Sequence, residues 1–298
     1  MSSRSVSRRT FIAGLGSAAS LPWLAPRVLA RQQQSPLLPI NTPKVDHLDV
    51  IVPDVAATAR FYMGVFNTKL HAQPFQGGFR YFVLFGDLPA NRQVGYLAIG
   101  DSRGRGTYIG HFCTSIFDYR QNSDAISAAL ADAVAEAGLG KIEMRGGFGG
   151  LFKDPDGIEI QFLPAPDTLV TAAVPSDLVE PNKGLVVPRG VDHVLLHVAD
   201  LDRGTRFYRI LYGMEAARTK NPDRVWFHIG DTRIGLQQVP SGEKPKIAHF
   251  AVKVAAFDRG AVTDGLRRLG AEIAEAPDEP DVLRFRDRDG NVAELRAV

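Results

Sequence analysis

From Val45 to Val52 the chain is apolar and rich in β-branched residues, and after Asp54 the spacing turns helical, with Ala59, Tyr62, Val65 and Phe66 on one face. Arg80 to Phe85 and Val94 to Ile99 then read as strands, separated by a loop through Gly86-Asp87-Leu88-Pro89. Tyr108 to Ile116 restarts the pattern as a strand, and a helix is predicted from Ser123 to Ala137, carrying Ile126, Leu130 and Val134 on one face and ending at Gly138. Further along, Val191 to Val198 and Ile247 to Val254 are predicted as first strands of two more units, and Val262, Leu266 and Leu269 mark the helix of the last one. The hydrophobic pattern therefore predicts four strand-helix-strands units in a row.

The units fall into two pairs because the chain repeats itself. Val45-Asp46-His47 returns as Val191-Asp192-His193, and the same offset carries Asp54 to Asp200 and Arg60-Phe61-Tyr62 to Arg206-Phe207-Tyr208. Later, Ile109-Gly110-His111-Phe112 answers to Ile247-Ala248-His249-Phe250, and Phe152-Lys153-Asp154-Pro155-Asp156-Gly157 to Phe285-Arg286-Asp287-Arg288-Asp289-Gly290, at shrinking offsets that imply shorter loops in the second copy. Domains are expected at 44–165 and 190–298, joined by a connector over 166–189 that contains Pro166, Pro175, Pro181 and Pro188.

Composition narrows the chemistry. With 298 residues, 45% hydrophobic and 23% charged, the chain has a globular composition, far from that of a disordered or polytopic membrane protein. The lone Cys113 rules out an internal disulfide and thiolate zinc clusters, so a metal would have to use histidine and carboxylate. Residues 1–30 resemble a twin-arginine export signal: Ser7-Arg8-Arg9-Thr10-Phe11 leads into an apolar stretch too short to span a membrane, and Val28-Leu29-Ala30 offers a small-residue cleavage site. That resemblance implies a periplasmic or secreted protein, exported folded and able to carry a metal loaded in the cytoplasm, with 31–43 as an N-terminal linker and no stable membrane span in the mature form. Losing the four arginines of this segment takes the formal charge from +2 to −2, which removes the electrostatic case for nucleic acid. Oligomeric state stays open, a homodimer included.

The strand histidine followed by an Arg-Phe-Tyr helix, the His-Phe opening each second unit and the Asp-x-Asp-Gly turn before each last strand together resemble the vicinal oxygen chelate superfamily, which includes glyoxalases, extradiol dioxygenases and bleomycin resistance proteins. The resemblance covers nearly all of 44–298. It implies an α+β fold of two tandem domains, each made of two βαβββ modules that curl into a cup-shaped mixed sheet. It also implies metal ligands on the first strand of each module and on the last strand of the domain.

At those positions the second domain offers His193, His249 and Glu294, the last standing four residues after Gly290. Two imidazoles and one carboxylate leave coordination positions open and suit Fe(II) or Mn(II), with Zn or Ni also admissible. Taken singly, such residues are most often hydrogen-bonded strand side chains; their joint placement carries the expectation. The first domain offers His47 and His111, but Gln161 replaces the glutamate and the acid is shifted to Glu159, one strand step of roughly 6.5–7 Å away on the same face. The second domain is therefore expected to be the active one and the first to be degenerate.

The resemblance further implies a metal-dependent enzyme acting on a small molecule with adjacent oxygens, nearest to an extradiol dioxygenase. Two family features depart from that pattern. Arg284 stands where those enzymes carry a tyrosine, as a candidate for holding an anionic substrate group. The additional histidine of the preceding strand is missing, leaving His228 to substitute if it faces inward. Gly235 fills the place of a glyoxalase's second acidic ligand. A glyoxalase-like isomerase or lyase, and a metal-free small-molecule-binding protein of the resistance type, are the alternatives.

Overall fold

A computed structural model describes residues 37–86, 94–145, 150–165, 173–274, 279 and 281–298. The segment expected to be an export signal, the start of the expected linker after it, the loop from Asp87 and the beginning of the connector lie outside the described residues. No described helix is long and apolar enough to cross a membrane.

The first half runs β1 (Lys44–Val52), α1 (Val55–Val65), β2 (Leu70–Phe75), β3 (Gly78–Leu84), β4 (Tyr96–Asp101), then β5 (Tyr108–Phe117), α2 (Tyr119–Glu136), β6 (Gly150–Lys153) and β7 (Glu159–Ala165), with a short β8 (Val174–Pro175). The second runs β9 (Pro188–Val198), α3 (Leu201–Tyr212), β10 (Ala217–Thr219), β11 (Arg224–Ile229), β12 (Thr232–Gln238), then β13 (Lys246–Val254), α4 (Arg259–Arg268), β14 (Glu272–Ala274), β15 (Val282–Arg286) and β16 (Val292–Ala297). Each half is one mixed eight-stranded sheet, in the orders β6-β7-β5-β1-β4-β3-β2-β8 and β10-β11-β12-β9-β13-β16-β15-β14. This is the expected α+β architecture of two tandem repeats.

The order matters because it puts the first strands of paired modules side by side at the sheet centre. β1 pairs antiparallel with β5 and β9 with β13, while β7 and β16 lie parallel beside β5 and β13. Three positions far apart in sequence thus fall on adjacent strands, about 4.8 Å apart.

Three details differ from expectation. α2 begins at Tyr119, four residues early, behind Asp118 in the left-handed region at φ 56°, because buried Tyr119 packs its ring against Phe162 and draws the first turn onto the sheet. β6, β10 and β14 are edge strands and β2 is flanked on its outer side only by the two-residue β8; all four have too few apolar alternations to read from the pattern. The connector, expected to be loop, is partly anchored: Val174–Pro175 pairs with β2, and buried Val186 bridges to Phe66.

The Arg-Phe-Tyr repeat fastens one half to the other. Tyr62 on α1 donates its hydroxyl to Asp287 Oδ2 at 2.8 Å, and Tyr208 on α3 donates to Asp154 Oδ2 at 3.1 Å. Both tyrosines are fully buried, so packing explains only part of their presence. The accepting carboxylates belong to the two Asp-x-Asp-Gly turns, where Asp154 Oδ1 takes the amides of Asp156 and Ile158 and Asp287 Oδ1 those of Asp289 and Asn291. Around these bonds, Thr58 donates to Asp289, Arg203 to the carbonyl of Pro155, and the Ala199 amide to Asp156. Burial pushes the Asp154 carboxyl up to about 6 although the amides of Ile158 and Asp156 oppose the rise, and Asp287 moves in the same direction for the same reason.

Candidate metal centre

In the second half the three expected side chains converge. His193 on β9 and His249 on β13 face each other with Nε2 atoms 3.0 Å apart, and Glu294 on β16 places Oε1 3.9 Å from His193 Nε2 and Oε2 4.0 Å from His249 Nε2. All three are buried, with Glu294 only 1% exposed. Cis ligands on bonds of about 2.0–2.2 Å stand roughly 3 Å apart, so a divalent ion fits among these donors after a small movement of the carboxylate.

Their surroundings favour the protonation states a metal needs. Asp192 Oδ1 lies 2.6 Å from His193 Nδ1, which holds the proton there and leaves the Nε2 lone pair toward the centre. Burial opposes ionisation of Asp192, but the bonds from His193 and Arg233 hold it well below the usual carboxylate range. Burial lowers the pKa of both histidines, helped at His249 by the neighbouring His193, Arg284 and Arg224, so both imidazoles are neutral at pH 7. Burial pushes Glu294 up, yet His193 and Arg284 outweigh it and the carboxyl lies below its ordinary value.

Arg284 turns out to be a partner of Glu294. It donates through Nε and a terminal nitrogen to Oε2 at 3.1 and 2.6 Å, while Arg296 Nε donates to Oε1 at 2.8 Å. An exposed, solvated Arg284 would not do this; strand alternation places 284 beside 294 across β15 and β16. His228 does not reach the centre. It shares a strand face with Trp226 but lies one step beyond it, exposed, while the Trp226 indole stands edge-on to His193 at 5.2 Å between ring centroids. The substitute histidine is thus corrected to an apolar wall. Gly235 is required by that wall, because a Cβ there would come within 2.7 Å of the indole.

The first half holds a counterpart in which Gln161 stands in place of the glutamate. His47 Nε2 and His111 Nε2 are 3.3 Å apart, and Gln161 Oε1 is 3.2 Å from His111 Nε2. Glu159 is not brought to them: it pairs with exposed Arg145. His47 Nδ1 is fixed by Asp46 at 2.8 Å and its ring stacks on Tyr96. His111 Nδ1 faces Asp49 Oδ2 at 3.3 Å, and Arg80 pairs with that same oxygen at 2.6 Å. Burial raises the Asp49 pKa, but Arg80 and His111 bring it down to about 2. Asp46 also lies with His47 and buried Cys113 in a group compact enough to hold an ion.

Sequence reasoning missed Asp192 and its counterpart Asp46, and also Arg296 and Asp49, whose matching positions in the other half hold Leu163 and Leu195. The signal for two of them was present, since Val-Asp-His repeats as a unit and the aspartate is as constant across the copies as the histidine.

Each of the two sheets carries two strand histidines and one carboxylate or amide on adjacent central strands. Residues 44–162 match the glyoxalase/bleomycin resistance protein/dioxygenase superfamily and residues 193–296 a glyoxalase-like domain; the chain belongs to this superfamily. Similar solved structures include the 2,3-dioxygenase LapB of a Pseudomonas species, at 16% identity and TM-score 0.62 over 87% of this chain and 93% of that one. The Mn(II)-bound glyoxalase of Novosphingobium aromaticivorans is similar at 16% identity and TM-score 0.59, over 87% and 83%. The 2,2',3-trihydroxybiphenyl 1,2-dioxygenase of Sphingomonas wittichii is similar at 15% identity and TM-score 0.58, over 87% and 91%. At these identities the likeness establishes the fold.

Proposed function

We propose that the second half is the catalytic one and that the protein is a divalent-metal-dependent enzyme acting on a small molecule with two adjacent oxygens, of the extradiol dioxygenase type. The observation that carries this is the convergence of His193, His249 and Glu294, whose ligand atoms all lie within 4.8 Å of one another in a buried cup. A divalent ion held there, Fe(II) or Mn(II) by the donor set, would supply Lewis acidity toward both substrate oxygens and, as iron, redox chemistry with dioxygen.

The protein's own groups prepare that chemistry. Asp192 keeps the His193 proton on Nδ1, and Arg284 with Arg296 keeps Glu294 ionised and fixed in rotation. Arg224, half-buried and close enough to Arg284 and Glu294 to feel both charges, adds a cation able to stabilise negative charge developing on a substrate oxygen. Trp226 supplies a flat apolar wall for an aromatic ring and narrows the access of water.

The test is metal analysis of purified protein followed by oxygen uptake on a panel of catechols after anaerobic loading with Fe(II) or Mn(II). Uptake with a coloured ring-opened product supports the reading; bound metal without uptake on any catechol defeats it. A second reading, an isomerase or lyase of the glyoxalase kind, is supported by Arg284 standing where dioxygenases carry a tyrosine, and predicts turnover without oxygen. The twin-arginine-like leader adds the proposal that this enzyme works outside the cytoplasm, which fractionation of cells expressing the full chain checks.

A further inference from the structure

Where β5 and β13 approach one another, the two halves enclose a cleft of about 610 Å³ that none of the three proposed ligands lines. Its walls are matched segments of the repeat: Ile109 and Gly110 face Ile247 and Ala248, and Lys153 with Gly157 answers Arg286 with Gly290. The cleft therefore sits on the pseudo-twofold axis relating the halves.

Its charge is one-sided. Arg105, Arg145, Lys153, Lys246 and Arg286 line it against the single carboxylate of Glu159, although the whole chain is nearly balanced at 35 basic and 33 acidic residues. Glu159 is taken by Arg145, and Lys246 pairs with Glu243 outside the lining. Lys153 and Arg286, pseudo-equivalent positions from opposite halves, form no ion pair with any described residue. A concave site lined by one sign of charge concentrates the opposite ion, and buried Ile109 and Ile247 lower the dielectric beneath it.

We infer that this cleft binds a small oligoanion, a molecule carrying two or more phosphate or carboxylate groups, held jointly by Lys153 and Arg286 across the pseudo-twofold axis. The site is separate in its residues from the metal centre, although β5 and β13 also carry His111 and His249.

Calorimetric titration of the full chain with inorganic tripolyphosphate, and separately with citrate, tests this. One site per chain is expected, weakening with added salt, and K153Q combined with R286Q should weaken binding at least about tenfold. Both positions are exposed, and a thermal melt checks that the variant is folded. Tripolyphosphate binding alone assigns phosphate groups, citrate binding alone assigns carboxylates. Absence of binding by both, or binding unchanged in the double variant, overturns the inference. So does loss of binding in R224Q with none in K153Q/R286Q, which would put the anion in the second cup.

Discussion

The two halves carry the same strands and the same pair of histidines, and they differ most around one residue. Glu294 is flanked by Arg284 on β15 and Arg296 two positions along β16; Gln161 is flanked at the matching places by Leu151 and Leu163. Carboxylate with two guanidiniums in one cup becomes amide with two leucines in the other. A buried charge is tolerable only when paired and hydrogen-bonded, so the three positions change together. The first half moves its compensated carboxylate elsewhere, to Asp49 with Arg80, where it orients His111 Nδ1. The corresponding position in the second half is Leu195, and Arg224, the counterpart of Arg80, bonds Gln237 instead. The lesson is that a buried carboxylate and its charge compensation are one unit.

The sharpest way to break this comparison is Glu294→Gln, which gives the second cup the polar set of the first while removing the buried carboxylate that Arg284 and Arg296 share. A loss of about 3–5 kcal/mol in stability is expected from breaking this buried ion pair, together with loss of bound metal. Adding R284L and R296L should recover most of the stability and none of the metal. Denaturant titration and elemental analysis read the two effects separately, and recovery of metal in the triple variant would refute the comparison.

Cross-half bonding comes next. Tyr62→Phe and Tyr208→Phe each remove a hydrogen bond to a buried carboxylate, for which about 1.5–3 kcal/mol is expected in urea unfolding; equal and independent losses would show that the two tyrosine-aspartate bonds act as true counterparts. Asp192→Asn should leave the fold intact and weaken metal binding about 10- to 100-fold, measured by competition with a chelator.

Asp154 gives a pH signature. Its folded pKa of about 6 lies above the unfolded carboxylate value, so the folded state takes up a proton in the window between them. That contribution to stability is complete below about pH 4 and is lost as pH rises through about 6. Asp154→Asn should flatten this part of the stability profile, and an unchanged slope would reject the assignment. The smallest effect is His228→Ala, expected within about 0.5 kcal/mol in stability because the side chain is exposed, with metal content unchanged.

Much of this architecture is legible in the sequence because the repeat fixes corresponding positions before any element is assigned. Val-Asp-His, His-Phe and Asp-x-Asp-Gly place His193, His249 and Glu294 on their strands. What pattern cannot supply is orientation across neighbouring strands. Whether Arg284 meets solvent or Glu294, and whether His228 or Trp226 faces His193, depends on register between β15 and β16 and between β11 and β12. Tyr62 and Tyr208 were readable as buried, but their partners lie more than fifty residues away in the other half. Edge strands such as β10 and β14 are three residues long and lack a periodic signal.

The central claim is that the metal belongs to one half only. Elemental analysis of the purified protein beside His249→Ala and His111→Ala variants tests it most directly. One divalent ion per chain, lost in His249→Ala and kept in His111→Ala, is the predicted result; metal lost from His111→Ala and kept in His249→Ala would contradict it.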